Sequence, residues 1–363
     1  MKTTIQLLRQ RLSPLYPQGE VRAISELLLE EVCGLTRTQI LLHRDDLVLP
    51  PSQAQLLASY ADRLALGEPV QQVLGYEWFC GRRFRVTRDV LIPRPETAEL
   101  IQWIVDSPVD KWVENPVDTP LDNPMENPVD IPLDNPVDKG VEKGGRTPVD
   151  NPMDNPVEKG MDKDMDKGVE NQVQKPVEKG VDKGVENPLI TIVDVGTGSG
   201  CIALTLAADI HNSQVVAVDL STAALRVAEE NAKALGIKNV RFCQADALST
   251  GILQVIPELS TVDILVSNPP YICHRERSEM SVNVLDYEPQ MALFVPDDDP
   301  LLFFRAIARA GLQMLRPGGW LYFEINEAYG PATCDLLRSL GYQQVELRRD
   351  MDGRDRMVRG RRR

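Results

Sequence analysis

The sequence predicts an α/β protein with a doubly wound, parallel-rich sheet behind a small all-helical N-terminal domain. From Leu189 onward, short β-branched runs alternate with amphipathic helical stretches. Before about residue 70 only helical periodicity is present. Glycines and acids then fall at the ends of successive strands, where such a sheet binds its ligand.

Taken in order, residues 1–70 carry apolar side chains at helical spacing: Ile24, Leu27, Leu28 and Val32, then Leu56, Leu57, Tyr60 and Leu64. Gly34 and Pro50-Pro51 punctuate these helices. The stretch 70–92 is rich in β-branched and aromatic residues around Gly81 and predicts a β-hairpin. A helix follows over Pro95–Val105, with proline at its start, so 71–105 form a hairpin and a connecting helix. Residues 106–187 are a low-complexity insert of units such as NPVD and KGVE. Recurrent Pro and Gly stop helix and strand alike, and the sparse Val and Met cannot repay the ordering entropy, so disorder is expected there. Lengthening a loop from ~10 to ~80 residues costs only about 2 kcal/mol, so a fold tolerates it. Residues 188–363 form the α/β domain. Its strands are LITIVDVG, QVVAVDLS, VRFCQADAL, VDILVSNPPY and GGWLYFEIN, closed by VELRRDM and RMVRG. Its helices are CIALTLAADI, the segment after an N-cap at Ser221, Leu301–Met314 and PATCDLLRSLG.

Composition narrows the function. The formal charge is −14, but Asp106–Pro188 alone holds 20 acids and 10 bases, leaving the rest near neutral. Such a body lacks the basic face expected of a nucleic-acid binder. Six cysteines lie at least 30 residues apart with no metal-ligand spacing, and the three histidines form no cluster. Reduced thiols in a cytoplasm, with no metal site, are the plain expectation. No apolar run is long enough to span a bilayer, so no membrane partner is expected.

The cofactor site is expected at Gly196, Thr197, Gly198, Ser199 and Gly200, a glycine turn that ends one strand and opens a helix. Dinucleotide-binding enzymes share such turns, but G-x-G-x-G tilts away from the G-x-G-x-x-G of pyrophosphate binders. Asp219 ends the next strand, placed to accept both ribose hydroxyls of an adenosine. Asp246 ends the third, toward an adenine. The plainer alternative is that both acids only cap the turns that follow. The catalytic site is expected at Asn268, Pro269, Pro270 and Tyr271, after the fourth strand, with Asn268 shared between the two sites. Two prolines fix the backbone and remove donors, leaving the Asn268 side-chain oxygen and the Pro269 carbonyl as acceptors. An NH2 group presents two donors to such a pair, and Tyr271 offers a flat wall for a planar group. An amide nitrogen is a poor nucleophile, so holding both its protons aims it and favours the charge that builds on it.

Together with GEPVQQVLGYEWFCGRRFRV (67–86), LIPRPETAELI (91–101), VDVGTGSGCIAL (193–204), AVDLS (217–221), VSNPPYI (266–272) and DGRDRMV (352–358), these motifs closely resemble the peptide-chain release factor glutamine N5-methyltransferases, the HemK/PrmC family. The resemblance spans nearly everything outside the insert. It implies a class I S-adenosylmethionine-dependent methyltransferase fold and S-adenosylmethionine as cofactor, held by Gly196–Gly200 and Asp219. It further implies that the substrate is the glutamine of the Gly-Gly-Gln loop of class I release factors, held by Asn268–Tyr271. Ala247 stands where members often carry an aromatic residue.

Three alternatives remain at this point. A sister family that methylates a glutamine of a ribosomal protein shares NPPY but typically has Pro-Arg-Ser-Pro where this chain has Pro93-Arg94-Pro95-Glu96. A nucleic-acid amino-methyltransferase presents similar NH2 chemistry, and Arg359, Arg361, Arg362 and Arg363 are its best support, read here as a solvated terminus. A non-enzymatic binding module would fail to bind the cofactor.

Overall fold

Alternation along β3 (Ile190–Val195) decides how the sheet is buried: Ile192 faces one apolar cluster and Val193 the opposite one. The computed structural model describes residues 2–42, 48–107, 188–255 and 261–363. β3 leads a seven-stranded sheet with β4 (Ser213–Asp219), β5 (Val240–Gln244), β6 (Val262–Ser267), β9 (Leu315–Glu324), β10 (Gln343–Arg349) and β11 (Asp355–Arg361). Their order is β10-β11-β9-β6-β3-β4-β5, parallel except that β11 runs antiparallel to both its neighbours. α6 (Pro95–Val105) and α7 (Cys201–Asp209) cover one face, α10 (Leu302–Met314) and α11 (Gly330–Ser339) the other. The order reverses between β3 and β6, the switch point at which doubly wound sheets open a crevice.

In front of this sheet, α1 (Lys2–Leu12), α2 (Gln18–Cys33), α3 (Arg37–Leu42) and α4 (Pro51–Ala65) share a separate core around Leu12, Leu28 and Leu64. Leu56, expected in the apolar stripe, is 43% exposed. The expected hairpin is shorter than 70–92. Pro69 and Gly75 bracket a one-turn helix, α5 (Val70–Leu74), and only β1 (Tyr76–Phe79) and β2 (Arg82–Arg85) pair. The N-cap at Ser221 of α8 (Thr222–Leu235) is present, its hydroxyl accepting from Ala224 N at 3.1 Å. α6 matches its expected bounds, and the chain continues in order through Ser107. That buried hydroxyl donates to the Trp103 carbonyl at 2.7 Å, within reach of Tyr322 Oη and Arg359. The remainder of the expected insert lies outside the described residues.

Two features depart from expectation. Arg359 and Arg361 lie on β11 rather than in a solvated terminus. Arg359 stacks between Trp103 and Trp320 and pairs with Glu346. Residues 272–295 build a cap of their own: β7 (Ile272–Cys273) and β8 (Phe294–Val295) pair in parallel, with α9 (Val282–Tyr287) between them. This cap fastens the helical layer to the sheet. Gln72 donates to the Tyr287 carbonyl at 2.9 Å, and Tyr287 Oη donates to the Leu66 carbonyl at 2.9 Å. Glu288, buried, accepts from Ile92 N at 3.1 Å and from the Arg94 guanidinium.

Candidate active site

The pairing register brings the expected motifs to one edge. Val195 of β3 sits beside Ser267 of β6, and Val218 of β4 beside Val195. Ser267 Oγ locks the first pair by donating to the Val195 carbonyl at 2.6 Å. The loops beyond these strands therefore share a cleft of about 1060 Å³, part of it open to solvent. Gly196, Thr197, Gly198, Ser199, Asp219, Asp246, Asn268, Pro269 and Pro270 all line it. A Cβ built on Gly196 would come within 3.8 Å of the Asn268 carbonyl oxygen, so the glycine turn and the NPPY segment abut.

Gly196, Gly198 and Gly200 adopt φ of +76°, +55° and +80°, which side chains strongly disfavour. Gly200 has a second reason: a Cβ there would meet Ala228 and Leu204 at 3.1 Å. Thr197 turns inward and donates to Asp194 Oδ2 at 2.7 Å. Ser199 is buried, and its carbonyl accepts from Asn231 at 2.8 Å. Asp219 accepts from Gly198 N and Ser221 N, both at 2.9 Å, one on each oxygen. Its pKa is raised by burial, opposed by those N–H groups. Asp246 caps its own turn, accepting from Leu248 N at 2.8 Å, yet also faces the cleft. Both acids thus bind local backbone N–H groups and line the cleft.

Asn268 donates to Thr97 Oγ1 at 3.4 Å. Tyr271 lies behind the cleft instead of lining it: its ring packs on the α10 side of the core and its hydroxyl donates to Glu324 at 3.2 Å. Burial, then the Glu324 charge, push that phenol's pKa upward. Gly200, by contrast, acts at the packing interface of α7 rather than at the cleft surface. His274 stacks on Phe294 at 5.1 Å, within the cap.

The structure adds further residues, Asp194 behind the cleft and others lining it. Asp194 is fully buried, its Oδ1 has no hydrogen-bond partner among the described residues, and burial raises its pKa to about 7. It stands in the quoted glycine motif, so its position was visible although its isolation was not. Thr97 and Arg94 come from the PRPET stretch, Met291 and Ala292 from the cap, and Phe303 and Ile307 from α10. The last two supply apolar wall on the side where Ala247 is small.

These groups suit an adenosine-bearing sulfonium. Asp219 retains acceptor capacity on both oxygens for a diol. The rest of the lining is mostly apolar.

A family model described as the PrmC N-terminal domain matches residues 4–75, and one described as a methyltransferase domain matches 186–308. A release factor glutamine methyltransferase of Bacteroides thetaiotaomicron is 34% identical over 352 residues, covering 97% of this chain and 96% of the relative. That of Flavobacterium psychrophilum is 32% identical, covering 96% and 95%. The chain belongs to the release factor glutamine methyltransferase family. Its sheet is the methyltransferase domain of that family, and its methyl donor is S-adenosylmethionine. The family's N-terminal domain corresponds to the helical layer α1–α5. The Bacillus subtilis member, 30% identical, likewise covers 99% of this chain and 97% of its own length.

Proposed function

We propose that this enzyme methylates the side-chain amide nitrogen (N5) of the glutamine in the Gly-Gly-Gln loop of class I release factors, and thereby modulates translation termination. The abutment of Asn268 on Gly196 supports the reading most directly, because it sets an acceptor-rich turn against the expected donor site. Bound S-adenosylmethionine supplies the methyl group. The chain's own residues hold and orient: Asn268 Oδ1 and the Pro269 carbonyl accept hydrogen bonds from the two amide N–H groups, and Pro270 stiffens the turn. Gly196–Ser199, Asp219 and Asp246 hold the donor, with Gly200 closing the turn against the helices behind it. Alignment of two bound reactants can lower the barrier by about 7–11 kcal/mol, enough that no strong base is required. Tyr271 supports the turn from behind, through Glu324, rather than serving as a stacking wall.

The partner is a protein, and the enzyme acts in the cytoplasm without binding nucleic acid directly. All six cysteines are free, in keeping with that compartment. Among the described residues no helix is long and apolar enough to cross a membrane. The test is methyl transfer from labelled S-adenosylmethionine to three acceptors in parallel: an unmethylated release factor, its Gly-Gly-Gln→Gly-Gly-Ala variant, and ribosomal RNA with ribosomal protein. Label is expected on the release factor alone and lost in the variant. Label on ribosomal material would move the assignment to a ribosomal protein or to nucleic acid.

A further inference from the structure

We propose that Thr97 and Glu324 are positioning residues that fix which end of the Asn268 amide faces the acceptor glutamine. The inference rests on the reading of Asn268 as an acceptor for the substrate NH2. An asparagine amide carries an oxygen and an NH2 of nearly equal size but opposite chemistry. Only the oxygen matches a substrate NH2, and a half-turn about the last side-chain bond would set donor against donor. Something must therefore hold the amide one way round.

The cleft holds such a device. Thr97 Oγ1 donates to Glu324 Oε2 at 2.6 Å, which commits its one proton. Only lone pairs remain on that hydroxyl, so it can take an N–H from Asn268 but cannot give one to the amide oxygen. The 3.4 Å contact is accordingly Asn268 Nδ2 to Thr97 Oγ1. With the NH2 end turned to α6, Oδ1 is left for the cleft. Glu324 sets this polarity. It is 2% exposed and accepts from Thr97 on one oxygen and from Tyr271 on the other. The three residues come from the first turn of α6, the last position of β9 and the loop after β6, which meet only in the folded protein. Thr97 is itself 2% exposed yet lines the cleft, so its hydroxyl is poised between carboxylate and amide.

Thr97→Val keeps shape and removes the hydroxyl. It is expected to lower kcat for release factor methylation about 10- to 100-fold, the scale of a misplaced reacting group, while donor affinity stays unchanged. Thr97→Ser restores most of the rate. Glu324→Gln, which can offer an N–H to Thr97, also lowers kcat with the hydroxyl still present. An independent readout is solvent exchange of the Asn268 side-chain NH2 protons, followed by NMR in enzyme labelled with 15N-asparagine and without substrate. Exchange is expected to be slow in the wild type and in Thr97→Ser, and fast in Thr97→Val. Equal exchange in the wild type and Thr97→Val would overturn the proposal, as would an undiminished kcat in Thr97→Val. So would a loss matched by weakened donor binding or not restored by serine. Should the wild type label no release factor, the acceptor reading fails, and the exchange result still decides the orientation.

Discussion

Asp194, buried, and Asn268, half-buried at the cleft, illustrate how much chemistry one polar side chain can carry. Burial raises the Asp194 pKa to about 7, far above the ordinary aspartate value. Between those two values the folded protein binds more protons than the unfolded chain, so stability must fall as pH rises through that window. The donor-free enzyme is therefore expected to melt at progressively lower temperature from about pH 4 to about pH 7. Asp194→Asn should flatten that slope in a thermal-melt series. Asn268→Ala should cut methyl transfer about 100- to 1000-fold, the scale of losing one oriented group at a developing charge. Donor binding, measured by calorimetry, should remain largely intact. Activity surviving that change would rule out the acceptor-pair mechanism.

Among the elements, those with long apolar periods were legible from sequence. β3, β4, β6 and the helix Pro95–Val105 follow from alternation, length and an N-terminal proline. α5 was not, because five residues cannot show a period and β-branched Val70 and Val73 suggest a strand. The cap escaped for a related reason. From His274 through Tyr287 no residue is buried, so no apolar pattern betrays α9. Asn231 was equally silent. On the buried side of α8 it accepts from Arg85 N at 2.7 Å, then donates to the Arg85 carbonyl at 3.1 Å and to the Ser199 carbonyl at 2.8 Å. One side chain thus joins the helix to the glycine turn 32 residues away and to the hairpin 146 residues away. Asn231→Ala leaves these backbone groups unpaired and should cost at least about 1–3 kcal/mol, read by urea unfolding. Within the site, the glycine turn, both acids and NPPY could be named because strand ends imply them. The inward turn of Thr197 and the retreat of Tyr271 behind the cleft depend on Asp194 and Glu324, which no local spacing announces.

At the scale of the whole molecule, Tyr287 and Glu288 of the cap tie together the helical layer and the segment that leads into α6. Ser107 and Pro188, the described residues on either side of 108–187, lie in a different region. Thr97, in the first turn of α6, lies at the cleft, Ser107 just beyond the helix lies beside Arg359, and Pro188 leads into the start of β3, whose other end meets the glycine turn. A six-residue strand measures about 20 Å, which separates that junction from the chemistry. Replacing 110–186 with a ten-residue Gly/Ser linker is therefore expected to leave methyl transfer intact and to change stability by no more than about 2 kcal/mol. Steady-state assays and melts of the shortened chain check both. The junction between Ser107 and Pro188 is by the same geometry a place for cargo. A fluorescent protein or a surface-attachment tag spliced there would leave both chain ends and the cleft mouth free, giving an immobilised methyltransferase that still reaches its substrate.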